Sequence, residues 1–178
     1  EHVVGHGRQL HGGGGKRGVS EDVDDSPPIA LFLSGESFFR SARYLRKGSD
    51  AHELKLRFDM PIYYLFTHAL ELILKSFLRS KGFSDSKLRS RQFGHSLQSL
   101  WDACMANGLA DQWAEYMFTE QAVALLDPFA TEFEFRYVKV GFKNLPTLEA
   151  VEEAVSDLIA IVRPYCEATI VGSIVDQK

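Results

Sequence analysis

Residues 61–82, PIYYLFTHALELILKSFLRSKG, decide the fold that this sequence predicts. Asp59 or Met60 is placed to cap a helix here, and Pro61 fits its first turn, where the amide proton that proline lacks would have no partner. Apolar residues then recur with a period of about 3.6 over roughly 20 residues, and Gly82 ends the run. Because the apolar stripe is wide, we expect a central helix that packs on more than one side. Its members are Ile62, Leu65, Phe66, Ala69, Leu70, Ile73, Phe77 and Leu78.

The composition is that of one ordinary globular domain. The chain has 178 residues, of which 45% are hydrophobic and 25% charged, and both fractions are average. A formal net charge of −4 argues against polyanion binding over the whole surface. No apolar run reaches the roughly 18 residues of a membrane span, and the first residues lack the basic, apolar and small-residue order of a secretory signal. We therefore expect a cytoplasmic protein with no membrane partner.

The cysteines and the common motifs point away from a metal or a cofactor. Cys104 and Cys166 lie in neither a CxxC nor a Cys/His ligand spacing, so we expect two reduced thiols rather than a disulfide or a metal site. The chain also lacks the GxxxxGKS/T, HExxH and GxSxG motifs, which mark phosphate loops, zinc proteases and serine hydrolases. We expect no cofactor and no bound metal.

Residues 1–28 differ in composition from the rest of the chain. A glycine- and histidine-rich run, HGRQLHGGGGKRG at 6–18, is followed by the acidic EDVDD at 21–25. Few of these side chains can be buried, so the entropic cost of ordering should exceed the gain from packing. Three of the six histidines lie here, but their glycine-rich surroundings do not preorganise a metal site. We expect a flexible tail at 1–28 and a single domain at 29–178.

Two more helices are predicted in the first 110 residues. Ser34 is placed to cap the first of them, and Gly48 is placed to end it. Residues 52–58 alternate apolar and polar, but with no obvious partner strand we favour an extended connection. After a link or a single turn at 87–91, the next helix runs from Ser96 to Asn107, where an Asn-Gly pair is a strong stop signal.

Two helices are predicted in the last third, on either side of a β-prone segment. Asp111 is placed to cap a helix that breaks or bends at Asp127-Pro128. Residues 130–146 fit a hairpin or an ordered loop equally well. Thr147 caps the last helix, which Pro164 should kink or end. Together the segments predict an all-α bundle of four to five helices. The apolar positions of the helix capped by Asp111 are Trp113, Met117, Val123 and Leu126.

Positive charge gathers in one part of this acidic chain. Between Lys75 and Arg91 lie six of the 20 cations and only one of the 24 acids, Asp85. One interpretation is a solvated helix end, whose cations complement the helix dipole. The other is a binding site for phosphate or for an acidic partner. The six cations are Lys75, Arg79, Lys81, Lys87, Arg89 and Arg91.

His95 stands beside this basic stretch, at a predicted helix start. An anion placed there would meet exposed backbone amides and the positive end of the helix dipole. On the preceding helix, His68, Glu71 and Lys75 share one face, so Glu71 can orient the imidazole. One hypothesis gives His95 an acid–base role, with nearby arginines holding phosphate. The other gives it a structural role, in which it fixes the helix start by hydrogen bonds to the neighbouring helix.

Three segments resemble the HEPN (higher eukaryotes and prokaryotes nucleotide-binding) superfamily, most closely its bacterial branch. They are HALELILKSFLRSKG at 68–82, FGHSLQSLWDACMANGL at 93–109 and FRYVKVGFKNLPTLEAVEEAV at 135–155, and the resemblance covers about residues 35–165. It implies a four- or five-helix up-and-down bundle that is commonly homodimeric. Many relatives are metal-independent ribonucleases of toxin–antitoxin or phage-defence systems. Others bind nucleotides or are non-catalytic partners of nucleotidyltransferases.

The chain departs from the ribonuclease branch of that superfamily. The branch carries an arginine, four to six further residues and a histidine near the start of its last helix. Arg136 lies in the matching region, but residues 137–143 contain no histidine. Arg89 and His95, with five residues between them, satisfy that spacing, yet they lie one helix link too early. This departure favours a binding role over catalysis.

The sequence therefore predicts a non-enzymatic, homodimeric, HEPN-like module that binds a nucleotide, RNA or an acidic protein through residues 75–95. Arg89, Arg91 and Lys75 would hold phosphate, and His95 would donate a hydrogen bond. One alternative is a metal-independent ribonuclease with His95, Arg89 or Arg136 as catalytic candidates; another is a dimeric scaffold for protein interactions. The predicted ligand-binding residues are Lys75, Arg79, Arg89, Arg91, His95, Glu71 and Arg136.

Overall fold

The computed structural model describes residues 25–113, 116–132 and 144–175, and every regular element in these ranges is helical. The prediction of an all-α protein is confirmed for this part of the chain. Residues 1–24 of the predicted tail, and 133–143 of the β-prone segment, lie outside the described residues, and what was expected of them stays a prediction. The helices are α1 (Pro28–Asp50), α2 (Met60–Ser80), α3 (Asp85–Leu88), α4 (Leu97–Ala106), α5 (Met117–Thr131) and α6 (Leu148–Val175).

α2 is the central helix, as its apolar stripe predicts. It begins with Pro61 in its first turn and packs against α1, α4 and α6. Seven of the eight predicted stripe residues are buried and Leu65 is partly buried, so the sequence period locates the core face correctly. Each large apolar side chain contributes roughly 1.5–3 kcal/mol on burial. α2 therefore supplies a large share of the hydrophobic stabilisation.

α1 runs antiparallel to α2. Ser26, just before α1, accepts a hydrogen bond at its carbonyl from Arg79 Nε near the end of α2, at 3.0 Å. Further along α1, the ring of Phe39 lies 5.9 Å from that of Phe66 in the first half of α2. The start of one helix therefore meets the end of the other.

The predicted start and end of α1 are wrong. The helix begins at Pro28, well before Ser34, and continues past Gly48. Pro28 occupies the first turn, where proline is favoured. A Cβ added to Gly35 would lie 2.7 Å from Ile73 Cδ1, so glycine lets α1 approach α2 closely. The Ser34–Gly35 pair marks a contact between helices, not a helix start.

α6 lies beside α2 and runs in the same direction. The Tyr63 hydroxyl, near the start of α2, donates to the Pro146 carbonyl just before α6, at 2.7 Å. Further along both helices, Cys166 Sγ lies 3.5 Å from Ser76 Oγ. Thr147 caps α6 as predicted, because its hydroxyl oxygen accepts an amide proton of the first turn at 3.3 Å.

α4 and the links are close to prediction. Ser96 Oγ accepts the Ser99 amide proton at 3.1 Å and so caps α4. The preceding link contains a single helical turn, α3. Residues 52–58 form turns and bends rather than a strand, as we favoured.

In the second half of the chain, the predicted start of α5 is wrong. The helix predicted to start at Asp111 begins only at Met117, because Asp111 lies in a separate 3-10 turn and Trp113 is extended. Met117, one of the four apolar positions of the predicted helix, is 63% exposed. Of the two outcomes expected at each proline, an end of the helix is wrong, because α5 continues past Pro128 and α6 past Pro164; the expected bend stays a prediction. A proline removes one helical hydrogen bond, and packing of an apolar face on the core sustains the remaining turns.

The buried apolar residues form one cluster that includes members of α1, α2, α4, α5 and α6. Cys104 and Cys166 belong to it and are free thiols, as predicted. Burial raises the pKa of both thiols, which makes them poor nucleophiles. Among the helices in the described ranges, none is long and apolar enough to cross a bilayer.

Candidate anion-binding site around His95

The structure brings Glu71, Lys75 and His95 together. Lys75 Nζ donates to Glu71 Oε1 at 2.6 Å and to the Gly94 carbonyl at 2.9 Å. His95 Nδ1 lies 3.5 Å from Glu71 Oε2. These contacts fasten the link before α4 to α2. They also hold the His95 imidazole at the surface, where its side chain is 47% exposed.

His68 is a fourth member of this group, and it was absent from the predicted site. Its Nδ1 lies 3.8 Å from Glu71 Oε2, the same oxygen that faces His95. The edge-on ring of Phe38 from α1 lies 4.4 Å away, and the ring of Tyr64 lies parallel at 6.1 Å. The spacing of His68 and Glu71 on one helix face is visible in the sequence, but their shared closeness to His95 depends on the fold. We call Glu71, His68, Lys75 and His95 the Glu71 cluster.

Glu71 is a nearly buried carboxylate that stays ionised. Burial acts to raise its pKa, but the neighbouring His68 imidazole and the hydrogen-bonded Lys75 ammonium outweigh that effect and lower the pKa from 4.5 to about 2. At neutral pH the cluster therefore contains a fixed anion. An anionic ligand could approach only the outer edges of the imidazoles, on the sides away from Glu71.

Arg79 does not join the Glu71 cluster. Its guanidinium lies 3.1 Å from Asp25 Oδ2 and 3.3 Å from Asp85 Oδ1, and it donates to the carbonyls of Ser26 and Phe83. Only 12% of the side chain is exposed. Arg79 thus joins the segment before α1 to the turn between α2 and α3. We call Arg79, Asp25 and Asp85 the Arg79 cluster.

Arg89 and Arg91 are the predicted phosphate ligands that lie at the surface. Arg89 is 74% exposed, with Nη2 3.3 Å from Asp85 Oδ2, and Arg91 is also exposed. An exposed pair of this kind is weak, so a phosphate can compete with it. Lys81 and Lys87 are exposed too, and each ammonium lies over an aromatic ring.

The basic stretch is less positive in space than in sequence. Two carboxylates from outside it, Glu71 and Asp25, pair with Lys75 and Arg79. The six cations therefore lie near three carboxylates, Glu71, Asp25 and Asp85, instead of Asp85 alone. The excess charge is concentrated on the exposed side chains beyond the end of α2.

The helix start after His95 does not offer its amides to a ligand, and this expectation is wrong. Asp127 Oδ1, from α5, accepts the Gln98 amide proton at 2.9 Å, and Ser96 Oγ accepts that of Ser99 at 3.1 Å. The protein's own carboxylate thus occupies the position that an anion would take. A ligand at this surface would depend on side chains instead.

The last predicted site residue, Arg136, lies outside the described residues. Within the ranges that the structure describes, no group of three or more His, Cys, Asp or Glu side chains is arranged to hold a metal ion. The chain matches no protein-family model, no curated protein and no solved structure. The contacts around Glu71 and the exposed arginines beside them are therefore the ground for a functional proposal.

Proposed function

We propose that the chain is a non-enzymatic HEPN-like helical module, a four- to five-helix up-and-down bundle, that binds a phosphate-bearing ligand through the region 75–95. The ligand is a nucleotide or RNA. The contact surface consists of Arg89, Arg91 and His95, which we call the His95 surface. Toxin–antitoxin or defence systems, in which HEPN-like homodimers are common, are the proposed setting.

One observation carries this proposal: His95 is half exposed and is held by Glu71 at its Nδ1 edge, on the same short link as the two exposed arginines. A positioned imidazole can donate a hydrogen bond to a phosphate oxygen, and arginines supply charge and paired donors. Lys75 is engaged by Glu71 and Gly94. Its role in the proposal is therefore to hold the link in place rather than to contact phosphate.

The test measures binding of a labelled single-stranded RNA and of ATP by fluorescence anisotropy over a range of salt concentrations. Each phosphate contact on a single strand contributes about 0.7 to the slope of log affinity against log salt. Arg89→Ala/Arg91→Ala should therefore lower that slope by about 1.4 for RNA. The matched control is Lys55→Ala/Arg57→Ala, which removes two exposed cations from the link before α2.

Three results would count against the proposal. Unchanged binding in Arg89→Ala/Arg91→Ala would remove the arginines from the contact surface. An equal loss in the control would mean that only overall charge matters. If neither RNA nor ATP binds but light scattering reports a dimer, the scaffold alternative is favoured.

A second candidate, a metal-independent ribonuclease, is favoured by the two imidazoles that share Glu71 Oε2. In such an enzyme one imidazole takes the proton of the ribose 2′-hydroxyl and the other protonates the leaving 5′-oxygen, while an arginine such as Arg89 stabilises the charged phosphorane. Cleavage of RNA in EDTA, compared among the native chain, His68→Ala and His95→Ala, tests this candidate. Cleavage that survives both substitutions excludes these histidines.

A further inference from the structure

A second cationic surface lies on α1. Arg40, Arg43, Tyr44 and Lys47 follow one another at helical spacing, so they share a face. Tyr44 is 78% exposed, more than any other large hydrophobic side chain in the described residues. The four side chains border a depression of about 490 Å³ that is closed on the α6 side by Glu152. We call these four residues the α1 face.

Three carboxylates border the α1 face: Glu152 is 24% exposed, whereas Glu149 and Asp50, which both pair with Arg46, are 71% and 67% exposed. Glu152 accepts a hydrogen bond from Arg46 Nη1 at 2.8 Å through Oε2, and its Oε1 lies 2.7 Å from Arg43 Nε in an ion pair. Arg46 is itself mostly buried and also pairs with Glu149. Arg43 is 58% exposed, so a ligand can reach its guanidinium from the solvent. Arg46 thus pairs with all three acids, while Arg40, Arg43 and Lys47 remain exposed at the surface.

Arg40 is only weakly neutralised. It is 76% exposed, and its nearest carboxylate oxygen, on Glu36, is 3.8 Å away. That oxygen also accepts a hydrogen bond from Arg163 of α6, so its charge is shared. Lys47 is exposed as well. The seven-residue separation of Arg40 and Lys47 corresponds to about 10 Å along the helix, which is long enough to meet more than one phosphate of an extended strand.

We propose that the α1 face binds single-stranded nucleic acid, with phosphates on Arg40, Arg43 and Lys47 and a base stacked on Tyr44. Cations that follow a backbone, together with an exposed aromatic ring that stacks on a base, are the two components of such surfaces. A free phosphate would use the cations but not the ring. An acidic peptide would meet the same cations, but it lacks a base to cover the ring. The proposal does not depend on the His95 surface.

The test uses the full chain and a fluorescein-labelled 15-nucleotide uridine strand, followed by anisotropy over a range of salt concentrations. Base stacking is worth about 1–3 kcal/mol per base, so Tyr44→Ala should weaken binding roughly 5- to 150-fold. Tyr44→Phe keeps the ring and should bind nearly as the native chain does. Arg40→Ala/Lys47→Ala should lower the salt slope by about 1.4.

The controls separate this surface from others. Lys55→Ala/Arg57→Ala removes the same charge from the link before α2 and should lower the salt slope much less. If Arg89→Ala/Arg91→Ala abolishes binding while all α1-face variants bind normally, the α1 face is excluded and the His95 surface is supported. The reverse pattern supports the α1 face and excludes the His95 surface.

Two further results would overturn the proposal. One is a native chain that does not bind the strand. The other is a labelled glutamate-rich peptide that binds more tightly than the strand and is insensitive to Tyr44→Ala. Thermal melting by circular dichroism confirms that each variant is folded, which is expected because the substituted side chains are exposed.

Discussion

Two charge clusters on the second half of α2 are built in opposite ways. In the Glu71 cluster, one carboxylate is shared by an ammonium and two imidazoles. In the Arg79 cluster, one guanidinium is shared by two carboxylates and two backbone carbonyls. Both centres are nearly buried and both tie α2 to a neighbouring segment. Only the Glu71 cluster leaves a half-exposed titratable ring at its edge, and this makes it the better candidate for a binding site.

The comparison shows why a count of charges along the sequence misjudges a site. Lys75 and Arg79 are one turn apart and look equivalent in the sequence. In the structure, Lys75 pairs with Glu71 and Arg79 pairs with Asp25, two carboxylates that lie outside residues 75–91. Lys75 fastens the link before α4, and Arg79 fastens the segment before α1. A cation bonded to its own protein in this way is not available to a ligand. Exposed cations such as Arg89 are the ones that can contribute to binding.

The largest expected effect is that of Arg79→Ala. It leaves the nearly buried Asp85 carboxylate with only the exposed Arg89 as a cationic partner, and it removes the donor to two carbonyls. Breaking a buried pair by removing one partner costs about 3–5 kcal/mol, and we expect a loss in that range in urea unfolding. Arg79→Lys keeps the positive charge but lacks the planar array of N–H donors, so it should be more stable than Arg79→Ala but less stable than the native chain. A loss below about 1 kcal/mol would mean that the cluster is solvated.

The pH dependence of Glu71 is the next largest effect. Because folding lowers its pKa from 4.5 to about 2, its contribution to the free energy of unfolding is fully present above pH 4.5 and is lost as the pH falls towards 2. A shift of this size corresponds to about 3–4 kcal/mol. The difference in unfolding free energy between native chain and Glu71→Gln should therefore shrink across that window. A difference that stays constant from pH 5 to pH 2 would contradict this.

Asp25→Ala should have a smaller effect. The Asp25 carboxylate accepts the Asp85 amide proton at 2.8 Å and pairs with Arg79, but it is partly exposed, so water can replace some of the interaction. We expect a loss of about 1 kcal/mol in urea unfolding. Asp25→Asn keeps an acceptor and should lose less. Equal losses in the two variants would show that the charge matters and the hydrogen bond does not.

Local signals predict much of the fold, and distant contacts account for the errors. Ser96 and Thr147 mark the starts of α4 and α6 because each cap binds an amide of its own first turn. In the sequence Gly35 resembles part of a helix start, but in the structure its backbone packs closely against the Ile73 side chain. Asp127 resembles a helix breaker, yet it accepts an amide proton of α4 from 29 residues away. The partners in these two contacts, Gly35 with Ile73 and Asp127 with Gln98, are too far apart in the sequence for a local pattern to reveal them.

The candidate site divides in the same way. Glu71 and Lys75 share a face of α2, and His95 follows after one short link, so the sequence predicts their closeness correctly. The sequence does not predict the pairing of Arg79 with Asp25, because Asp25 lies 54 residues away in the predicted flexible tail. Arg136 lies outside the described residues and stays a prediction.

The smallest expected effect on stability is that of Arg89→Ala, and it completes the comparison between the two clusters. Arg89 belongs to the rim of the Arg79 cluster but is 74% exposed, 3.3 Å from Asp85. Exposed pairs contribute about 0–1 kcal/mol, so its removal should change the urea midpoint little, whereas RNA affinity should fall because a phosphate contact is lost. Arg79→Ala should show the opposite balance, with a large loss of stability. If Arg89→Ala destabilises the fold as much as Arg79→Ala, Arg89 is a structural member of the cluster, and the His95 surface loses one of its two arginines.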